Sequence, residues 1–443
     1  MKTICFYIIR SMARLHTGVL ICMTLALWGC SKDERKDMTY PDKNSTAKIT
    51  QYTPISGGSS TELSLYGINF GTDLDQIKVT VNDKEGTVLS SNGRIIVVRV
   101  PQNAGSGKVK LKLRDQEYTY KQDFEYGYQT VVYTFLGSTK LDEDGDFSQA
   151  KLSGPRYLKW SSDNALYFVE EGASSADNYA AVRVAANNKV TTLLKASEST
   201  LVERLRAFDF SKDQSTVYLT NDNNANGSMG FGKMNKSGDK LTNLTALSVT
   251  AGLTAVAVNP ATDEVFVGIY SGGKVARLMP DGSLEQVFVV NSKNVNIMDM
   301  IFSKDGKTMY LSAAYNAHSI YRVSYDTNTK TFGSISVLAG PDANTTGNAT
   351  GSGTAARFNT PGQMDVDTEG NLYVADRKNH CIRKITPQGA VSTYAGVAGT
   401  SGLQNGNALT AKFYDPEGCK FGPDGALYIA DTWNHVIRKI VVE

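Results

Sequence analysis

The feature that most constrains this chain is a repeat. The run Gly370-Asn371-Leu372-Tyr373-Val374-Ala375-Asp376, continued by Arg377-Lys378-Asn379-His380-Cys381-Ile382-Arg383-Lys384-Ile385, returns between Gly425 and Ile440, offset by 55 residues without a gap. A repeat unit of this size cannot bury its apolar face alone, so neighbouring units have to stack. Fainter copies centre on an aromatic in a strand-like apolar run: Tyr167, Tyr218, Phe266, Tyr310, Tyr373 and Tyr428, at intervals of 51, 48, 44, 63 and 55 residues. Six units with room for about four short strands each have the length of β-propeller blades.

The pattern GxLYVADxxNHxIRKI closely resembles the NHL repeat family in the last two units, while units two to four keep only its hydrophobic outline. The resemblance implies a six-bladed propeller. Ring closure is also legible. The strand-like run Val391–Gly396 leads through a long loop to Ala411-Lys412-Phe413 and Pro416. Val132–Gly137 leads in the same way to Ala150-Lys151-Leu152 and Pro155. Unit six shows only three strands before Glu443, so the strand around Val131–Leu136 is expected to complete it and hide two free sheet edges.

From Lys48 to Tyr126 the chain reads as about seven short alternating strands between Gly, Asn and Asp turns, the count of an Ig-like sandwich. Pro54, Gly57 and Gly58, then Gly67-Ile68-Asn69-Phe70-Gly71, then Pro101 with 104–107, then Phe124-Glu125-Tyr126 resemble the IPT/TIG domain. Such a domain is expected to act as a spacer. The fold class is therefore all-β: an Ig-like (IPT/TIG) sandwich over 47–127 followed by a six-bladed NHL-type β-propeller over 128–443.

The N-terminus predicts export. Arg10 and Arg14 precede the 11-residue apolar run Gly18–Trp28, too short for the ~20 residues that span a bilayer. The run ends in Leu27-Trp28-Gly29-Cys30, which resembles a bacterial lipobox. The resemblance implies a signal peptide over 1–29, lipid on Cys30 and a hydrophilic tether over 30–46. The charged stretch after Cys30 resembles that of surface lipoproteins of the Bacteroidetes. Losing Lys2, Arg10 and Arg14 with the signal shifts the formal net charge from +2 to near −1. Nucleic acid is thereby disfavoured as a partner, since phosphate neutralisation needs a basic face. Cys381 and Cys419 remain in the folded part, where buried free thiols are the expected state.

Catalytic signatures are sparse. No GxSxG, Walker loop or dinucleotide fingerprint is present. His380 and His435 share one repeat position, and His318 matches it after a single insertion. A side chain that recurs once per blade reads as a turn-fixing hydrogen bonder, and Asp376 and Asp431 beside Asn379 and Asn434 read likewise. No converging ligand set predicts a metal or cofactor. The acidic turn 142–146 lacks the spacing of a calcium loop and reads as solvated.

Binding surfaces look richer. The turns between second and third strands share a rim with the loops entering each next blade. That rim is expected to carry Tyr179, Tyr270, Tyr315 and Trp433, with Arg377 and Lys378, and to receive the long loops 341–354 and 397–410. Aromatic faces beside amides and hydroxyls suit sugar rings. Trp433 stands where the neighbouring unit has Lys378, a departure that folding alone does not explain.

Two function classes stay open. One is a lipid-anchored outer-membrane surface protein that captures a glycan or polysaccharide. It resembles surface glycan-binding lipoproteins that work beside TonB-dependent outer-membrane transporters. The other is a propeller hydrolase or lyase acting on polysaccharide. A protein-interaction scaffold is a third, weaker reading.

Overall fold

In the computed structural model, residues 46–59, 61–170, 180–195, 204–222, 230–238, 240–247, 251–290 and 294–443 are described. Cys30 and Tyr179 lie outside the described residues.

The N-terminal domain packs two sheets face to face. Lys48–Thr53, Glu62–Ile68, Ile95–Arg99 and Thr87–Ser91 form one. The other holds Ser56–Gly57, Gln116–Tyr126, Gly107–Leu113, Ile77–Val81 and Lys84–Glu85. Alternate residues point inward, so Leu63, Leu65, Val79, Val81, Ile96, Val98, Val109 and Leu111 are all buried. The 67–71 turn is held by close approach. A Cβ on Gly67 would lie 2.2 Å from the Lys48 carbonyl oxygen and 2.3 Å from the buried Phe70 ring.

Six antiparallel blades follow, the first five each with four main strands in chain order from the inside outward. Blade one contains Pro155–Trp160, Leu166–Glu170, Ala180–Ala186 and Lys189–Lys195. Blade two contains Leu205–Phe210, Thr216–Asn221, Phe231–Ser237 and Lys240–Ala246. Blade three contains Leu253–Val258, Val265–Ile269, Lys274–Leu278 and Leu284–Val289. Blade four contains Asn296–Phe302, Thr308–Ala314, Ser319–Asp326 and Thr331–Ala339. Blade five contains Pro361–Val366, Leu372–Asp376, Cys381–Ile385 and Ala390–Ala395.

Blade six closes the ring. Its inner strands are Pro416–Phe421, Leu427–Asp431 and Val436–Val442, and its outer strand is Thr130–Leu136, from before blade one. Val131 pairs with Val441 and Val132 with Ile440, the closure expected from the sequence.

The second-strand aromatics explain the repeat spacing. Tyr167, Phe266, Tyr373 and Tyr428 each meet the ring at the end of the next blade's first strand, respectively Phe210, Phe302, Phe421 and Trp160. Their centroids are 4.9 to 5.6 Å apart. Three of the four are edge-on and Phe266–Phe302 is tilted, and each such pair adds ~1 kcal/mol beyond its buried area. The Tyr428–Trp160 pair welds the last blade to the first.

The Asp, Asn and Arg of the motif form a buried knot. In blade six the Asp431 carboxylate accepts from Asn434 Nδ2 and from Arg438, both at 2.8 Å, and from the Tyr414 N–H at 2.7 Å. In blade five Asp376 does the same with Asn379, Arg383 and the Asn359 N–H. The buried guanidiniums stack on Phe413 and Phe358 and donate to loop carbonyls, pinning the long incoming loops. Blade one uses Glu170 and Arg183 in the same way. The acidic turn is recruited there rather than solvated: Asp144 binds Arg183 at 2.9 Å and Thr192 at 2.8 Å.

The two domains meet through Glu443. Its backbone exchanges hydrogen bonds of 2.9 and 2.7 Å with Gln129. Its carboxylate accepts from Ser59 at 3.0 Å and Gln102 at 2.6 Å, both in the Ig-like domain, and from Tyr133 in blade six.

Candidate functional site

The described turns after the second strands lie around one mouth of the central channel. In blades five and six each turn is a single 3-10 turn, Arg377–Asn379 and Thr432–Asn434, closed by a histidine in the left-handed region at φ 56° and 58°. His380 Nδ1 accepts from the Asp415 N–H, and His318 Nδ1 from the Thr360 N–H, both at 3.1 Å. Both rings are therefore neutral acceptors that fix the entry of the next blade, and burial lowers both their pKa values. Cys381 and Cys419 are buried free thiols, and Cys419 donates to the Gln363 carbonyl at 3.0 Å. None of these groups faces the mouth.

What faces it is the residue just beyond the second strand in blades two to five, together with the start of each first strand. A cavity of about 280 Å³ is lined by Tyr270, Tyr315 and Arg377, with Arg156, Arg204, Arg206, Asp222 and Glu417. Three of the rim residues expected from the sequence thus converge. Tyr270 and Tyr315 keep 45% and 55% of their surface exposed. Tyr315 also sits at φ 46°, a costly backbone for a bulky side chain and one that invites a functional explanation.

Charge around the cavity is arranged as two clamps. Glu417 of blade six lies between Arg156 of blade one, at 3.0 Å, and Arg377 of blade five. Asp222 of blade two lies between Arg204, at 2.8 Å, and Arg206. Arg377 also faces Asp415 at 3.5 Å, which Lys378 contacts at 2.7 Å.

The floor of the cavity is Tyr157. Its hydroxyl crosses from blade one to donate to Asp299 Oδ1 of blade four at 2.9 Å. Gln363 of blade five reaches the Leu158 backbone at 2.7 and 3.0 Å. Burial pushes the Asp299 carboxyl up to about 6. A second cavity of about 730 Å³ opens at the opposite mouth, and Tyr157 is the one described side chain common to both.

Trp433 lies elsewhere on the same face. It is 54% exposed, and its ring lies over Tyr414 at 5.8 Å with planes 32° apart, outside the residues lining the mouth. The reason is register: Thr432, not Trp433, occupies the position of Arg377. The long loops touch the turns through Asn379 and Asn434. They then run outward, where Gly351–Ser352 and Gly406–Asn407 add fifth strands to blades five and six. Arg156, Arg204, Arg206, Asp222 and Glu417 were not anticipated. The available signal was the residue after Pro155, Pro361 and Pro416, which reads Arg, Gly and Glu in otherwise matching units.

Among the described residues, no three His, Cys, Asp or Glu side chains are grouped to hold a metal ion. No described helix is long and apolar enough to cross a membrane.

Comparison with known proteins agrees with this architecture. Residues 47–126 match the IPT/TIG domain model, and 299–400 match the SMP-30/Gluconolactonase/LRE-like region. NHL repeat-containing protein 2 of Bos taurus is 35% identical over 100 residues. The chain thus joins a domain matching the IPT/TIG model to a β-propeller that is similar in part to NHL repeat proteins. That curated relative is matched over 22% of this chain and only 14% of its own length. Full-length similarity comes from crystal structures. One is of an auxiliary nutrient binding protein from Bacteroides thetaiotaomicron: 27% identity, 91% of this chain and 99% of that one, TM-score 0.68. Another, of an auxiliary nutrient binding protein from Bacteroides ovatus, shares the fold with 24% identity, 90% and 99% coverage and a TM-score of 0.73.

Proposed function

We propose that this protein is a lipid-anchored, nutrient-binding protein of the outer-membrane surface that captures a glycan at the turn-face mouth of its propeller. The observation that carries the reading is the convergence of Tyr270 and Tyr315 over an arginine-lined cavity with Tyr157 at its floor. Exposed aromatic faces stack on the apolar faces of sugars while guanidiniums and carboxylates take up hydroxyls. Similarity over 91% of the chain to an auxiliary nutrient binding protein from Bacteroides thetaiotaomicron supports it. Glu443 fits a spacer role for the Ig-like domain, since it fixes the propeller on that domain instead of leaving it on a loose joint. A TonB-dependent transporter is the partner this reading implies.

Retention of the protein in affinity gels containing polysaccharides tests the site. Tyr270→Ala and Tyr315→Ala are each expected to weaken retention by about tenfold or more, with the melting temperature nearly unchanged. Trp433→Ala serves as the comparison. If only Trp433→Ala weakens retention, the binding surface is the Trp433–Tyr414 platform and not the mouth. New reducing ends or unsaturated products would replace the binding reading with the hydrolase or lyase one.

The anchor is tested separately. Cys30→Ala is expected to release the protein from the membrane fraction or leave its precursor unprocessed, because stable anchoring needs more than one acyl chain. A Cys30→Ala protein that stays membrane-bound at unchanged mass would remove the lipoprotein assignment.

A further inference from the structure

Resting on the glycan-capture reading of this mouth, we infer that the ligand is an oligosaccharide chain that runs outward from the mouth over a second subsite, the Tyr414–Trp433 platform of blade six. The two rings are a paired departure from the repeat. In blade five the same positions hold Asn359 and Lys378, and the backbone joins them in the same way. The Lys378 N–H donates to the Asn359 carbonyl at 3.0 Å, and the Trp433 N–H to the Tyr414 carbonyl at 3.1 Å. The Asn359 N–H reaches Asp376 at 2.8 Å, and the Tyr414 N–H reaches Asp431 at 2.7 Å. The turn therefore forms without either ring. What the exchange adds is two adjoining aromatic side chains that both stay exposed. Single exposed apolar residues need no explanation, whereas a contiguous pair marks a contact surface. The pair is also held in place: His380 meets Tyr414 edge-on at 5.6 Å, and Trp433 lies over Tyr414 at 5.8 Å. A platform ordered before binding lowers the ordering cost of the contact.

The platform adjoins the mouth. Tyr315, Arg377 and Thr432 each stand three residues before the histidine of their blade. Blades four and five thus put Tyr315 and Arg377 into the wall, while blade six has only the small, buried Thr432 there, with Trp433 next in the chain. On the other side, Tyr414 precedes Asp415, which Arg377 of the wall faces at 3.5 Å. No long side chain of the blade-six turn therefore stands between mouth and platform. At about 280 Å³ the mouth is at the small end of the ~300–1,000 Å³ of small-molecule sites, room for a short piece of a chain and not for its length. The sugars beyond that piece leave across the face. Once the chain is held at the mouth, engaging the platform is intramolecular, so even a weak stack there raises affinity, and only for chains long enough to span both.

The test titrates the intact chain, by calorimetry, with the oligosaccharide series of cellulose, xylan, mannan, laminarin and starch, each from the monosaccharide upward. In the series that binds, affinity is expected to stay flat over the shortest members that bind and then to rise about tenfold or more once the chain spans both subsites. Trp433→Lys and Tyr414→Asn restore the residues of blade five at a turn that folds with them, and melting curves verify that each variant folds. Each is expected to weaken the longer members about tenfold and to leave the shortest unchanged. Should one variant unfold, the other reads the same contact. Tyr315→Ala should weaken short and long members alike. Affinity independent of chain length, with both platform variants unchanged, overturns the chain inference and leaves capture at the mouth standing. A rise with length that both platform variants keep assigns the added sugars to another surface and overturns the platform. Loss of the shortest members in the platform variants makes the platform the primary site and overturns the inference as well. A Tyr315→Ala protein that binds every member as before, or binding in no series, removes the mouth reading and this inference with it.

Discussion

Deleting residues 1–137 is expected to yield a propeller that aggregates, whereas deleting 1–127 yields a soluble monomer. The two deletions differ by the outer strand of blade six, Thr130–Leu136. That strand pairs with Val436–Val442 along its length and with Gly406–Asn407 on its far side. Its Val132 and Leu136 are buried, and Phe135 meets Phe147 at 5.0 Å and Tyr428 at 4.9 Å. Burying each such side chain contributes roughly 1.5–3 kcal/mol, so the strand carries a large share of a net stability of about 5–15 kcal/mol. Its loss also bares Val436–Val442 as an unprotected edge. Size-exclusion chromatography and thermal melts check this. Equal melting temperatures for the two truncations would mean that ring closure contributes nothing to stability.

The architecture was readable because propellers repeat their packing. Tyr373 and Tyr428 stand in a near-identical wording, and each has to reach a ring at the end of the next blade's first strand. The same constraint leaves a trace at Tyr218 and Tyr310, where the wording has faded. Neither finds a ring at the end of the next blade's first strand: Tyr218, which stacks on Phe231 of its own blade, packs in a cluster with Val258, and Tyr310 in one with Val366. Closure was readable because Val132–Gly137 copies Val391–Gly396 and the Ala-Lys segments after them match. What the repeat could not convey is the interdomain joint, since Glu443, Ser59 and Gln102 occur once and meet only in three dimensions.

The site was half legible for a related reason. Equivalent turns of different blades do face one mouth, and this placed Tyr270, Tyr315 and Arg377 together. Turn register then separates residues that look equivalent in sequence, and it carries Trp433 one position outward onto Tyr414. The arginines escaped notice because a repeat conceals its exceptions. Arg156 and Glu417 occupy matching positions with opposite charge, and only folding makes them partners at 3.0 Å.

Arg438→Met is expected to cost roughly 3–5 kcal/mol, because removing one partner of a buried pair leaves the other charge uncompensated. For a unit of this size that lowers the melting temperature by roughly 10 °C. Arg438 is fully buried between Asp431, the Phe413 ring at 5.2 Å, and the carbonyls of Lys412 and Gln404. Methionine keeps the apolar packing but not the charge. The pH dependence then separates charge from packing. Burial already pushes the Asp431 carboxyl up from 3.8 to about 6, against the pull of Asn434 and Arg438. Without the guanidinium it rises further. A carboxyl raised in the folded state takes up its proton there more readily than in the unfolded chain, so stability falls as pH rises through that window and recovers as pH drops. The deficit of Arg438→Met should therefore be full near pH 8 and smaller near pH 5. Asp431→Asn strands the Arg438 guanidinium instead, a charge that stays on at both pH values, so this variant is also destabilised but its own stability should lack the fall with rising pH. An Arg438→Met deficit of equal size at both pH values would assign the role of Arg438 to its hydrogen bonds with the loop carbonyls, and the motif's arginine would then be a loop pin first and a charge partner second.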